Sequence, residues 1–188
     1  MTYRSIFFIK HTLVFFALYI FSVFTNAEDS IEKEIVIDKM DNERLEQIIQ
    51  RLDDNFEGSQ GFWNFNITNV TVTVVTDEKN DRMRIIIPIT ESEKLSSEDL
   101  YRIMQANFDS ALDARYAIGK NILWSTYLHP LASLTDDEFL TGLGQTVNLY
   151  STFGTTYSSG LLSYGGGDSQ SLLRKKLIEE LIEKGVAI

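Results

Sequence analysis

The stretch that most constrains the fold covers residues 107–134 and reads NFDSALDARYAIGKNILWSTYLHPLASL. Side chains at residues 122–129 alternate with a period of two, which is typical of a strand with one face on a core. Residues 114–118 predict a partner strand, because the short Gly-containing connection between the two runs favours an antiparallel hairpin. We expect Trp124, inside the alternating strand, to be a core anchor.

Helical spacing of apolar residues predicts three helices, which begin near Asp41, near Ser96 and at Thr135. The third start is the most distinct, because Thr135 and Glu138 have the spacing of a capping box. The buried stripe predicted for the second helix consists of Leu100, Ile103, Met104, Phe108, Ala111 and Leu112. In the third helix, Gly142 and Gly144 each cost about 1 kcal/mol relative to Ala, which suggests close packing on a neighbouring element.

Between the first two helices, residues 62–67, 70–76 and 82–89 predict a meander of three strands. Pro88 suggests that the third of these strands lies at an edge or ends there. We therefore predict an α+β domain over residues 41–154, with elements in the order α-β-β-β-α-β-β-α. Its antiparallel sheet would contain about five strands, packed with the three helices.

The segment 1–27 is not expected to contribute to that domain. Arg4 and Lys10 precede a nearly continuous apolar run, and short residues stand before Glu28, which is the layout of a secretory signal peptide cleaved after Ala27. The alternative is an uncleaved anchor, but the apolar run falls short of the roughly 20 residues that a spanning helix needs. A charged leader, residues 28–40, would follow in a periplasmic or secreted protein.

The chain is acidic and lacks cysteine. Its 27 acidic and 17 basic residues give a formal charge of −10, and signal cleavage would remove two basic residues and no acidic one. Nucleic acid and anionic membranes would repel such a protein, so neither is an expected partner after cleavage. Without cysteine there is neither a disulfide framework nor a thiol nucleophile.

After the predicted domain, residues 155–168 are rich in Gly, Ser and Tyr and predict a flexible linker. Residues 169–188 then predict an amphipathic helix. Its apolar face consists of Leu172, Leu173, Leu177, Ile178, Leu181 and Ile182. Because an isolated helix of this length is marginal in water, the face should dock on its own domain, on a partner or on a second copy.

The sequence contains few residues or motifs that are typical of catalytic sites. His129 is the only histidine outside the predicted signal, whereas a metal site usually needs two or three. There is no G-x-S-x-G, H-E-x-x-H or phosphate-loop motif. Two acidic pairs, Asp109 with Asp113 and Asp77 with Asp81, fall where a helix end and a hairpin turn explain them. We expect a protein that is not an enzyme and that uses neither a metal nor a cofactor.

The hairpin region NFDSALDARYAIGKNILWSTYLHPLASLTDDEF, together with Trp63 and the strand VTVTVV, resembles the type III secretion chaperone-like superfamily. The resemblance covers residues 41–154, and it favours the branch of bacterial proteins labelled sensory transduction regulators. It implies binding of other proteins through hydrophobic sheet and helix surfaces, and dimerisation, which many members show. The export signal and the Gly-rich tail with its extra helix differ from the secretion chaperones.

These observations predict an exported, non-enzymatic protein-binding module, chaperone-like or regulatory, that buries apolar segments of a protein partner and is a candidate homodimer. The predicted binding residues are Trp63, Phe65, Tyr127, Leu173, Leu177 and Leu181. The alternative is a small-ligand or lipid-binding domain, with Trp63, Trp124 and Tyr127 lining a cleft between sheet and helices. A hydrolase is the third and least favoured hypothesis.

Overall fold

The computed structural model of the chain describes residues 39–160 and 169–186, without the side chains of 169–175. In this part of the chain there are four α-helices: α1 (Asn42–Leu52), α2 (Ser97–Asp109), α3 (Asp136–Ser151) and α4 (Ser169–Gly185). The six strands are β1 (Glu57–Ser59), β2 (Phe62–Ile67), β3 (Val70–Asp77), β4 (Arg82–Glu91), β5 (Arg115–Gly119) and β6 (Ile122–His129). The predicted α+β class and the order of the predicted elements are confirmed. The sequence missed the short strand β1, which contains no apolar side chain, and a 3-10 turn at Ser92–Lys94.

The strands form one antiparallel sheet in the order β1-β2-β3-β4-β6-β5. The hairpin of β5 and β6 therefore enters the sheet through β6, whose Tyr127 pairs with Ile85 of β4. Pro88 lies inside β4 rather than at its end, but β3 pairs with β4 only as far as Ile86. Beyond Ile86 the strand pairs with β6 alone, and a register shift follows Pro88.

Helices cover one face of this sheet. The core beneath them contains alternate residues of β2, β3 and β4, with Trp63 and Val72 fully buried and Val70 and Ile89 only partly buried. On β6 the inward residues are Leu123, Ser125 and Tyr127. The hydroxyl of Ser125 donates a hydrogen bond of 2.8 Å to the carbonyl oxygen of Thr146 on α3.

Trp124 is not the core anchor that its alternating strand suggested. It lies on the opposite face of the sheet and is partly exposed, and its indole Nε1 donates a 2.9 Å hydrogen bond to the carbonyl oxygen of Gly119. A period of two divides a strand into two sets of side chains without saying which set is buried. Here α3 packs against the set that contains Leu123, so Trp124 is left outside.

The expectation that Gly142 and Gly144 mark close packing is confirmed. A methyl group at Gly142 would lie 2.6 Å from Cε1 of Tyr127, and one at Gly144 would overlap the side chain of Ile178 on α4. The sheet therefore approaches α3 on one side and α4 approaches it on the other. This double contact explains why the residues from Gly142 through Leu149 are all buried.

The helix α4 packs against α3 and α1 of the same chain, which is the first of the three docking alternatives. Ile178 and Leu181 are buried in this contact. At the end of α4, Nε and Nη2 of Arg51 donate hydrogen bonds of 2.9 and 2.6 Å to the carbonyl oxygen of Gly185. The guanidinium thus satisfies an acceptor that the helix itself leaves unpaired.

The first residues of the predicted linker are packed rather than free. Ser110 Oγ donates a 2.6 Å hydrogen bond to the carbonyl oxygen of Tyr157, and Ser159 Oγ accepts one of 2.9 Å from the backbone N–H of Leu112. The Tyr157 ring also makes an edge contact with Tyr116, at 6.1 Å between centroids. The remainder of that linker, 161–168, and the predicted signal and leader up to residue 38 lie outside the described residues.

Candidate functional site

The residues predicted to bind a partner do not form one exposed surface. Trp63, Phe65 and Tyr127 are 0%, 1% and 6% exposed and belong to the core under the helices. On α4, Leu181 is buried and Leu177 partly buried, whereas the side chain of Leu173 lies outside the described residues. A role for these six residues in binding remains a prediction, and for the core members it would require the helices to move.

The proposed cleft between sheet and helices does not have the predicted lining. Trp63 and Tyr127 face the helices, but Trp124 faces away from them, so the three side chains do not meet in one space. Trp63 Nε1 instead donates a 2.8 Å hydrogen bond to Glu46 of α1. Burial raises the pKa of Tyr127 to about 12, and the negative charges of Asp113 and Glu138 add to this rise. Tyr127 is therefore a neutral core side chain at physiological pH.

Helix α2 presents an exposed apolar surface, which we call the α2 stripe and which consists of Tyr101, Met104 and Phe108. Their side chains are 68%, 67% and 90% exposed. The spacing of three and then four residues places them on one side of the helix. Leu100, Met104 and Phe108 had been predicted to be buried, and that prediction is wrong, since Leu100 is also exposed. The side of α2 that faces the domain contains Ile103, as predicted, and Ala106, which was not predicted.

Contacts at both ends and along one side hold α2 in place. At its start, Ser96 and Asp99 form a capping box, whose hydrogen bonds lower the pKa of the Asp99 carboxyl. The side-chain amide of Asn107 donates to the carbonyl oxygen of Tyr116 on β5 and accepts from its N–H, at 3.0 and 2.8 Å. The Arg102 guanidinium lies 5.0 Å from the centre of the Tyr157 ring. Asn107 thus connects α2 to β5, and Arg102 connects it to the segment that follows α3.

A second surface lies on the face of the sheet opposite the core helices, over β4, β5 and β6. We call it the sheet-face depression, and it has a volume of about 400 Å³. It is lined mainly by apolar side chains, with two cations among them: Arg84, Ile86, Ala117, Lys120, Trp124 and Leu128. The neighbouring part of the same face, on β2 and β3, carries polar side chains together with the apolar Phe62 and Val75. There Asn64 accepts a 2.6 Å hydrogen bond from the Thr73 hydroxyl, so these groups satisfy each other.

Four of the five groups that sequence reasoning weighed for catalysis, all except Asp109, have structural partners among the described residues. His129 is half-buried, stacks on Tyr127 and has Nδ1 2.8 Å from the carbonyl oxygen of Pro130. Asp77 accepts hydrogen bonds from Asn80 in the β3–β4 turn. The carboxylates of Asp81 and Asp113 accept from the N–H of Ala132 and from the side chain of Gln145. Each of these groups thus supports a turn, a strand end or a helix.

Within residues 39–160 and 169–186, no cluster of three or more His, Asp or Glu side chains could hold a metal ion. No helix in the same part of the chain is both long enough and apolar enough to cross a membrane.

Sequence comparisons found no matching protein-family model and no matching curated protein. In fold, the chain is similar to a chain in the structure of the HopA1–SchA chaperone–effector complex, with a TM-score of 0.47, 11% identity, and coverage of 60% of this chain and 94% of the other. It is also similar to a chain in the crystal structure of the Yersinia pestis type III secretion chaperone SycH in complex with a stable fragment of YscM2. The TM-score is again 0.47, with 17% identity and coverage of 60% and 98%.

Proposed function

We propose that this chain is a non-enzymatic module that binds another protein by burying the α2 stripe, in a chaperone-like or regulatory role. The observation that carries the proposal is the exposure of three large apolar side chains, Tyr101, Met104 and Phe108, on one side of α2. Burying such a side chain fully is worth about 1.5–3 kcal/mol before the entropy of association is subtracted. The α2 stripe therefore has the character of an interaction site rather than of ordinary protein surface.

The charge around the α2 stripe indicates the kind of partner. Glu98 and Asp109 are exposed near the two ends of α2, in a chain whose formal charge is −10. A partner segment with apolar side chains flanked by Lys or Arg would match both features, because opposite charges at the rim favour encounter. An amphipathic helix laid along α2 has the required form. The resemblance carried by residues 107–139 leads us to propose further that the chain belongs with the sensory transduction regulators.

We predict that Phe108→Ser weakens partner binding by about 2 kcal/mol, or roughly 30-fold in Kd, because large apolar residues at an interface centre contribute most of the affinity. The partner would be identified by quantitative mass spectrometry of proteins recovered on the wild-type chain from a native-host extract. Its affinity would then be measured by calorimetry. Since Phe108 is 90% exposed, the substitution should leave the melting temperature unchanged.

Gln105→Ser is the matched control, because Gln105 is an exposed residue of α2 outside the stripe. It should bind the partner as tightly as the wild type. Equal affinities of Phe108→Ser and wild type would refute the use of the α2 stripe. If the recovered partner is a second copy of this chain, light scattering will show a dimer for the wild type and a monomer for Phe108→Ser.

We also propose that the protein acts outside the cytoplasm, on the basis of the signal-like layout of residues 1–27. Mass spectrometry of the protein recovered from the periplasm or medium of its native host should find a mature chain that begins at Glu28. The control is a chain with Arg inserted in the apolar run, which should stay uncleaved in the cytosol. Recovery of the wild-type chain at full length from the cytosol would contradict the proposal.

A further inference from the structure

The sheet-face depression has the size and chemical character of a small-molecule site. Its volume of about 400 Å³ falls within the range of roughly 300–1,000 Å³ found for ligand pockets. Such pockets combine a mainly apolar lining with a few polar groups that orient the ligand. Ile86, Trp124 and Leu128 supply the apolar lining here.

The apolar part of the Trp124 ring is available to contact an apolar ligand. Its polar atom, Nε1, already donates to the carbonyl oxygen of Gly119, which fixes the ring without using a ligand. The rest of the indole is apolar and lines the depression. On the same face Leu128 is 55% exposed, so apolar surface there lacks cover from any described element. A hydrocarbon group placed against these two side chains would remove that surface from water.

Two cations lie at opposite ends of the depression, because Arg84 pairs with Leu128, whereas Lys120 follows Gly119, which pairs with Ile122 at the other end of β6. Arg84 and Lys120 are exposed, and neither makes an ion pair or a side-chain hydrogen bond within the described residues. Two unpaired cations beside an apolar depression are notable in a chain whose formal charge is −10. Lys120 also has a φ of 51°, in the left-handed region where Gly or Asn is preferred at a hairpin turn. Arg presents a planar fork that matches a carboxylate.

Thr126 adds a hydroxyl group to the lining. Its side chain is 6% exposed, and Oγ1 has no hydrogen-bond partner among the residues that the structure describes. Buried hydroxyl groups in native proteins nearly always have a partner, and an unmade hydrogen bond costs free energy. The depression therefore contains an unused polar group as well as two unpaired cations.

We infer that the sheet-face depression binds an amphiphilic carboxylate, a molecule with an unbranched hydrocarbon body and one carboxylate group. The carboxylate lies against the Arg84 guanidinium, and the hydrocarbon extends from there along Leu128 to Trp124. A neutral alcohol of the same length would lose the charge interaction, and a short carboxylate such as acetate would lose the apolar contact. The inference does not rest on the protein-binding proposal, because the residues of the depression are separate from those of the α2 stripe.

The test uses calorimetry of the full mature chain with decanoate, at concentrations below its micelle threshold. We expect saturable binding of decanoate and at least about 10-fold weaker binding of decanol and of acetate. The double variant Arg84→Gln/Lys120→Gln should bind decanoate at least about 10-fold more weakly. Because both side chains are exposed, this variant should retain the wild-type melting temperature.

Lys79→Gln is the matched charge control, since Lys79 is an exposed cation in the β3–β4 turn outside the depression. It should bind decanoate as the wild type does, and so should Phe108→Ser. A second variant, Trp124→Ser, should bind both decanoate and decanol more weakly than the wild type does, because both molecules contact the indole. The inference is overturned if decanoate does not bind saturably, if decanol binds equally well, or if the double variant and Lys79→Gln have the same affinity. Weaker partner binding by Phe108→Ser, with decanoate binding intact, would separate the two proposals.

Discussion

Trp63→Ala is expected to lower the free energy of unfolding by about 3–5 kcal/mol, the range measured for removing a large aromatic side chain from a core. Trp63 is 0% exposed and lies between β2 and the helices, where the space it leaves cannot be filled by neighbours without rearrangement. The substitution also removes the donor that pairs with Glu46. Urea denaturation followed by circular dichroism measures the change.

Trp124→Ala is the matched control, because it makes the same chemical change on the opposite face of the sheet. Its expected cost is about 1 kcal/mol, as the side chain is partly exposed and its main polar contact is to Gly119 in the same hairpin. If Trp124→Ala costs as much as Trp63→Ala, the two faces of β6 have been assigned the wrong way round. The pair of variants therefore tests which side of the sheet carries the core.

Removal of α4, by ending the chain at Gly160, is expected to destabilise the domain by several kcal/mol. Ile178 and Leu181 are buried against α3 and α1, and full burial of such side chains is worth about 1.5–3 kcal/mol each. Losing α4 also exposes the side of α3 that contains Gly144 and removes the acceptor for Arg51. We expect a lower melting temperature and stronger binding of a hydrophobic dye.

Two point variants distinguish the effect of losing the buried contacts of α4 from the effect of shortening the chain. Ile178→Ala in the full chain should cost about 2–5 kcal/mol, because the side chain is 4% exposed. Glu183→Ala, at an exposed position of the same helix, should be nearly neutral. A truncated chain that melts with the wild type and binds no more dye would show that α4 does not stabilise the domain. The contact of α4 with α3 and α1 would then contribute nothing measurable to the free energy of unfolding.

Features that depend on neighbours in sequence could be predicted. The capping box of Thr135 and Glu138 is present at the start of α3, as its spacing required. The strand β6 and its hairpin with β5 also occur where alternation and turn residues placed them. These signals are local because a helix cap spans one turn and a two-residue hairpin turn brings adjacent strands together.

The functional surfaces could not be predicted in the same way. Helical periodicity showed that α2 is amphipathic, but it assigned Met104 and Phe108 to the buried side. Apolar residues occur on both sides of α2, and only its contacts with β5, including those of Asn107, decide which side faces the domain. The sheet-face depression likewise joins β4 to the β5–β6 hairpin, two segments that are distant along the chain.

The sequence by itself therefore determined the order of the helices and of every strand except β1, because caps, turns and periodicity act over a few residues. The tertiary structure decided where β6 enters the sheet, which face of β6 is buried, and which side of α2 is exposed. Each of these outcomes depends on packing between distant segments, such as α3 on Tyr127 and α4 on α3. Local pattern carries no information about which of two similar faces a distant element will cover.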